Sequence, residues 1–211
     1  MFPHQESTTL MWCSRFLVLK HPELPVQMAA KLKDKGYKFY IRMYGDEGNA
    51  AKHDTIYPRK DLQKLIEQLG VQDCVELMGS RPNNEVLDAM RKSDIFLFTS
   101  DRLEGWGAVA NESMANGCVL VASDAIGSSP YLIEDGVNGF IFHSQDVDSL
   151  TQKVEWLLKH PVERKKMRTA AYATMRDVWS PRKAAEALLK LIDDLKNGRE
   201  TSIVTGPCSK A

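Results

Sequence analysis

A chain of 211 residues that is 43% hydrophobic and 27% charged has room for one α/β domain with a helical extension, and its composition is that of a globular protein. Its 28 basic and 28 acidic residues cancel, which excludes a dominant electrostatic attraction to nucleic acid and leaves open only a local basic cluster. No stretch approaches the ~20 apolar residues of a membrane helix. Residues 1–9 are polar rather than leader-like, and Cys13, Cys74, Cys118 and Cys208 have no CxxC spacing, so reduced thiols in a cytoplasmic protein are the expectation.

In chain order, residues 1–9 read as a linker or a severed end. Leu10, Met11, Trp12 and Cys13 make a first short strand, followed by the loop SRFLVLK at 14–20. A helix is expected over 22–35, with Pro22 and Pro25 in its first turn, Leu24, Met28, Ala29 and Leu32 as its apolar stripe, and Gly36 as its stop. Residues 37–44 alternate as a strand does, 45–48 are a turn, and 49–57 an irregular insertion. A helix over 59–69 aligns Leu62, Leu65, Ile66 and Leu69; a strand at 75–78, a loop at 79–83 and a helix at 84–92 follow.

Beyond the central stretch at 93–127, residues 131–133 are a helical turn, Asp135-Gly136 and Asn138-Gly139 are turn dipeptides, and 140–142 are the last strand. Leu150, Val154, Leu157 and Leu158 define an amphipathic helix ending before Pro161. A helix rich in Arg and Lys fills 161–176. Ser180 caps a final helix that opens on Pro181 and carries Ala184, Leu188, Leu191, Ile192 and Leu195. Residues 198–211 read as a flexible tail. About six strands alternating with helices predict a single Rossmann-like domain over 10–197, a doubly wound parallel sheet with a C-terminal helical extension.

The central stretch is strand, loop, helix, strand and turn. Ile95, Phe96, Leu97 and Phe98 form a run suited to burial on both faces, and residues 118–122 form a second. Ligands of such sheets sit beyond the carboxyl ends of the strands, which sets the loops at 100–107 and 123–129 on one ligand-facing edge. Gly105 and Gly107 stand just before a helix of small residues, where backbone can approach a ligand and free amides point at an anion. A phosphate at the amides of Trp106 to Ala108 is the natural guess. Glu104 lies at the mouth. Glu112 lies two turns inside among small neighbours, a costly place for a carboxylate without hydroxyl partners such as those of a ribose. Arg15 and Lys20, five apart after the first strand, reach the same edge and can neutralise a diphosphate. Each feature alone also fits ordinary surface charges; together they fit a nucleoside diphosphate carrying a further group.

These residues resemble the donor-binding core of retaining family-4 glycosyltransferases, which have the GT-B architecture. That family's acidic residue, Gly-Phe-Gly and second glutamate eight positions on appear as Glu104, Gly105, Trp106, Gly107 and Glu112. Its Gly-Arg-x-x-x-x-Lys loop appears as Ser14 to Lys20, its small-Met-small-x-Gly element as Ser113 to Gly117, and its Glu-x-Gly-x-Asn-Gly turn as Glu134 to Gly139. The resemblance implies that Arg15 and Lys20 bind the donor diphosphate and that backbone from Gly105 through Trp106 and Gly107 to Ala108 holds its distal phosphate. It implies that Glu104 meets the transferred sugar beside the reacting carbon, that Glu112 binds the ribose, and that Ser80 and Arg81 border the base. No metal or other cofactor is implied beyond the nucleotide-sugar substrate. The implied partners are a saccharide or lipid-linked acceptor in polysaccharide biosynthesis and an N-terminal GT-B domain that this chain lacks. Ser14 stands in place of glycine, Trp106 in place of phenylalanine, and Tyr131 where a glutamate often follows the proline.

Two other readings stay open: a nucleotide-sugar-binding module inactive alone, and half of a split enzyme docking a separate N-terminal domain. The scattered histidines His21, His53, His143 and His160 read as surface or packing residues. The run Arg164, Lys165, Lys166 and Arg168 reads as a solvated helix face, with peripheral contact to acidic lipid as the alternative.

Overall fold

Short runs of large apolar residues pair as parallel strands in a computed structural model that describes residues 7–48 and 55–209. The strands are β1 (Thr8–Cys13), β2 (Phe39–Tyr44), β3 (Val75–Gly79), β4 (Ile95–Phe98), β5 (Val119–Ser123) and β6 (Gly139–Phe142). The helices are α1 (Glu23–Asp34), α2 (Arg59–Gln68), α3 (Asn83–Arg91), α4 (Ala108–Ala115), α5 (Ser129–Leu132), α6 (Val147–Lys159), α7 (Pro161–Asp177) and α8 (Pro181–Lys196), with a 3-10 turn at Val18–Lys20.

The strand order is β3-β2-β1-β4-β5-β6, so the winding reverses between β1 and β4, where Leu10 faces Ile95 and Met11 faces Phe96. That reversal opens a crevice at the carboxyl ends of β1 and β4. The period-2 alternation of each strand sorts the core into two layers. Leu10, Trp12, Ile41, Met43, Ile95, Leu97, Val119 and Val121 pack under α1, α2 and α6. Met11, Phe96, Phe98, Leu120 and Ala122 pack under α3, α4 and α7. Both faces are therefore covered, as a parallel sheet requires.

The expected elements are present, with some shifts. β1 begins at Thr8 rather than Leu10, because Thr8 and Thr9 pair with Phe39 and Tyr40 and the Thr9 amide donates to Asp94 Oδ2 at 3.1 Å. Of the expected insertion, residues 49–54 lie outside the described residues; Ile56 bridges Leu17, and the Tyr57 amide donates to the Phe16 carbonyl. Beyond α8, a Cβ on Gly206 would stand 2.8 Å from Val178 Cγ1, so the turn at 206–209 lies against the end of α7.

The basic run is not a uniform solvated face. Arg164 donates to the Leu157 carbonyl, and Arg168 donates to the Gly117 carbonyl and to Asp94 Oδ1 at 2.6 Å, leaving Lys165 and Lys166 exposed. Asn138, from the Glu134–Gly139 turn, is buried and fully used. Its amide donates to the Leu132 carbonyl and Thr174 Oγ1, and its Oδ1 accepts from the Glu134 amide. Among the described residues no helix is long and apolar enough to cross a membrane.

Candidate functional site

Hydrogen bonds lash β1 and the segment after it to the end of β4. The Trp12 indole N–H donates to Thr99 Oγ1 at 2.9 Å, the Thr99 hydroxyl donates to the Lys20 carbonyl at 2.7 Å, and the Asp101 amide donates to the Leu19 carbonyl at 2.9 Å. With the backbone so held, Lys20 Nζ meets the Glu104 carboxylate, the two side chains being 15% and 14% exposed. Ser100 Oγ adds a 3.3 Å contact to Glu104 Oε2. Shielding of this kind makes the pair stronger than a solvated one, and gives each partner a large penalty if left alone.

Two glycines shape the loop around that pair. Gly107 has φ +68°, and a Cβ there would stand 2.2 Å from Phe98 Cζ, so no side chain fits between the loop and β4. A Cβ on Gly127 would stand 2.3 Å from the Gly105 carbonyl oxygen, and the Gly127 amide donates to the Glu104 carbonyl. The loops after β4 and β5 are thus pressed together. α4 starts at Ala108 with no acidic side chain in its first turn, and the negative charge beside its N-terminus is the Glu104 carboxylate, whose Cδ lies 3.2 Å from where a Cβ on the N-cap Gly107 would stand.

The remaining nominated residues flank this point. Arg15 is exposed beyond β1 and runs beside the Gly48 backbone. Glu112 is half-buried rather than buried; its charge adds to the burial that pushes the Cys13 thiol, at the end of β1, up to about 11. Arg81 and Ser80 are exposed after β3; burial raises the Tyr44 phenol nearby, and the charges of Arg42 and then Arg81 oppose that rise. The structure therefore gathers Lys20, Glu104, Gly105, Gly107 and Ala108 at the crevice, with Arg15 and Glu112 alongside. Ser80 and Arg81 lie two strands away, roughly 10 Å at ordinary strand spacing.

Trp106 turns away from the loop's backbone. Its indole N–H donates to Asn111 Oδ1 at 2.7 Å, and its ring lies 6.0 Å from Tyr131 and 5.1 Å from Trp179. These three rings and residues 206–209 line a cavity of about 300 Å³.

Sequence reasoning passed over two contributors. Thr99 is buried and has no distinguishing neighbour in sequence. His21 reads in sequence like the other scattered histidines, yet it follows Lys20 directly and sits between Glu23 and Asp101. His143 is exposed after β6, 3.1 Å from Asp124 Oδ2, and His160 bonds the Trp156 carbonyl; His53 lies outside the described residues. Among the described residues no three His, Cys, Asp or Glu side chains are grouped to hold a metal ion.

The reversed strand order and the glycine-shaped loop at its crevice make this a Rossmann-like domain that resembles one half of the two-lobed GT-B architecture. Residues 3–174 match the model of the family Glycosyl transferases group 1, and the chain belongs to that family. It is 29% identical over 170 residues to trehalose synthase of Pyrococcus horikoshii, covering 81% of this chain and 40% of that protein. It is 28% identical over 160 residues to D-inositol 3-phosphate glycosyltransferase of Corynebacterium aurimucosum, covering 74% of this chain and 36% of that protein. The fold is shared with Anabaena Alr3699/HepE, solved in complex with UDP, at a TM-score of 0.68 and 22% identity over 79% of this chain and 43% of that one. The chain spans less than half the length of each of these relatives.

Proposed function

We propose that this chain is the donor-binding half of a retaining glycosyltransferase, which moves a sugar from a nucleoside diphosphate to a saccharide or lipid-linked acceptor in polysaccharide assembly. The observation that carries the reading is the Lys20–Glu104 pair set before the first turn of α4 at the sheet's switch point. Family membership supports it, as does the UDP bound by the Anabaena neighbour.

In this reading the donor separates the pair. Lys20 and Arg15 turn to the diphosphate, the amides from Gly105 to Ala108 take its distal phosphate, and Glu104 turns to the sugar's hydroxyls. Glu112 accepts from the ribose hydroxyls, and Ser80 and Arg81 border the base. The bond from the anomeric carbon to the phosphate oxygen breaks with its electrons on the diphosphate. The acceptor oxygen attacks from the same face and gives its proton to that phosphate, which retains the configuration. Cations and the helix N-terminus stabilise the leaving charge, so the reading requires no metal. The acceptor site and the surface that covers α8 belong to an N-terminal domain.

Calorimetric titration with UDP, GDP and ADP, then with their sugars, tests the donor site. Saturable binding of one nucleotide is expected, with at least a tenfold loss in Glu112→Ala from the lost charge-assisted hydrogen bonds. No binding of any nucleotide would remove this reading.

A further inference from the structure

His21 closes the 3-10 turn that carries Lys20 and does so with φ 47° and ψ 57°, in the left-handed region. Residues other than glycine are uncommon there, and histidine is among those that adopt it more readily. Its side chain is 12% exposed and bracketed by two carboxylates: Nδ1 is 2.8 Å from Glu23 Oε1 at the start of α1, and Nε2 is 3.4 Å from Asp101 Oδ2 in the β4–α4 loop. Nε2 and Glu23 Oε2 are both buried without a hydrogen-bond partner. A neutral imidazole has one N–H for two acids, whereas an imidazolium has one for each.

Asp101 is the organiser of the turn that ends in Glu104. Its Oδ1 accepts from the Leu103 amide at 2.8 Å, its carbonyl accepts from the Glu104 amide at 3.0 Å, and its own amide donates to the Leu19 carbonyl. Its remaining oxygen, Oδ2, is the one that faces His21.

We propose that His21 is a positioning residue for Glu104: as an imidazolium it draws Glu23 and Asp101 together and so fixes the turn that presents Glu104 to Lys20. The proton makes the difference, because a bare Nε2 lone pair facing the Asp101 carboxylate repels it. The consequence for donor binding rests on the function proposed above; the linkage from His21 to the turn does not.

The charged and titratable groups around the ring are Glu23 from α1, with the Tyr57 phenol raised by burial and then by that same carboxylate, Asp101 from the β4–α4 loop, and Lys20 on its own turn, committed to Glu104. The Glu23 hydrogen bond outweighs burial and lifts the His21 pKa above its ordinary 6.5, with the charges of Glu23 and Asp101 adding to it. A raised pKa means the clamp is complete below about pH 6.5 and is lost as pH climbs through the raised value.

The test is an NMR titration of the ligand-free chain from about pH 5.5 to about pH 9, following the His21 ring and the Leu103 and Glu104 amides. All three are expected to share one midpoint above the ordinary histidine value. Asp101→Asn should lower the His21 midpoint while keeping the ring. His21→Asn, whose side chain tolerates the left-handed backbone, should abolish the pH response of both amides. Calorimetry with UDP is then run on wild type and His21→Asn at each pH, which cancels the titration of the phosphate itself. Several-fold tighter binding by the variant is expected below the midpoint, because Glu104 is then no longer held on Lys20, and equal binding above it.

Amides that ignore the His21 midpoint, a midpoint at or below the ordinary value, or equal UDP affinity at low pH would overturn the proposal. Coupled titration without UDP binding would support the linkage and remove the donor reading. UDP binding without coupled titration would do the reverse.

Discussion

Helices α6 and α8 carry the same kind of apolar stripe and meet opposite surroundings. Leu150, Val154 and Leu157 of α6 are fully buried on the sheet and α1, whereas Leu188, Leu189, Ile192 and Leu195 of α8 are between 40% and 68% exposed. The two faces of the sheet are already filled by α1, α2 and α6 on one side and α3, α4 and α7 on the other. Periodicity dictates that a helix will have an apolar face, but the rest of the structure decides whether anything remains to cover it. The crevice is the counter-case, a polar region whose charges are matched within the chain. Lys20 holds Glu104, and His21 stands between Glu23 and Asp101.

The contrast is most easily broken through stability. Leu157→Ala should cost about 2–5 kcal/mol through lost burial and a residual cavity. Leu189→Ala should stay within about 0.5 kcal/mol. Urea unfolding of both variants gives the comparison, and equal losses would mean that α8 is covered in solution.

A smaller effect sharpens the contrast at the crevice. Lys20→Ala leaves the Glu104 carboxylate shielded and alone, and UDP affinity should fall about tenfold or more, on the order of 1.5–3 kcal/mol for a charged hydrogen bond. Glu104→Gln removes the anion that competes for Lys20, so UDP alone should bind a few-fold tighter even though sugar transfer by a complete enzyme should fall. Parallel calorimetry of the two variants decides it. Weaker UDP binding in Glu104→Gln would show that the carboxylate is not a competitor.

Much of this was legible from residue order. Alternating apolar runs and helix stripes located the six strands and the helices between them, and Glu104, Gly105, Gly107 and Glu112 marked the loop that lies at the switch point. The Lys20–Glu104 pairing was not legible as a contact, because its partners are 84 residues apart and meet only once β1 lies beside β4. Thr9 entered the strand through an Asp94 bond that local pattern cannot show. His21 was invisible for a different reason: its neighbours come from α1 and from the β4–α4 loop, and a lone histidine carries no periodic signal. Arg164 and Arg168 looked solvated because sequence gives a helix's composition without saying which of its cations reach back to carbonyl groups.

The narrow seam between β1 and β4 also has a consequence in time. Each half of the sheet closes through connections between neighbouring strands, but the seam joins residues such as Trp12 and Thr99, 87 positions apart, through only two paired strand positions. Distant closures cost the most chain entropy, so each half of the sheet is expected to close on itself before the seam does. A nucleotide lying across it would act after the folding barrier rather than before it, lengthening the life of the folded chain without hastening its birth. Stopped-flow measurements with and without UDP would read that as slower unfolding at an unchanged folding rate.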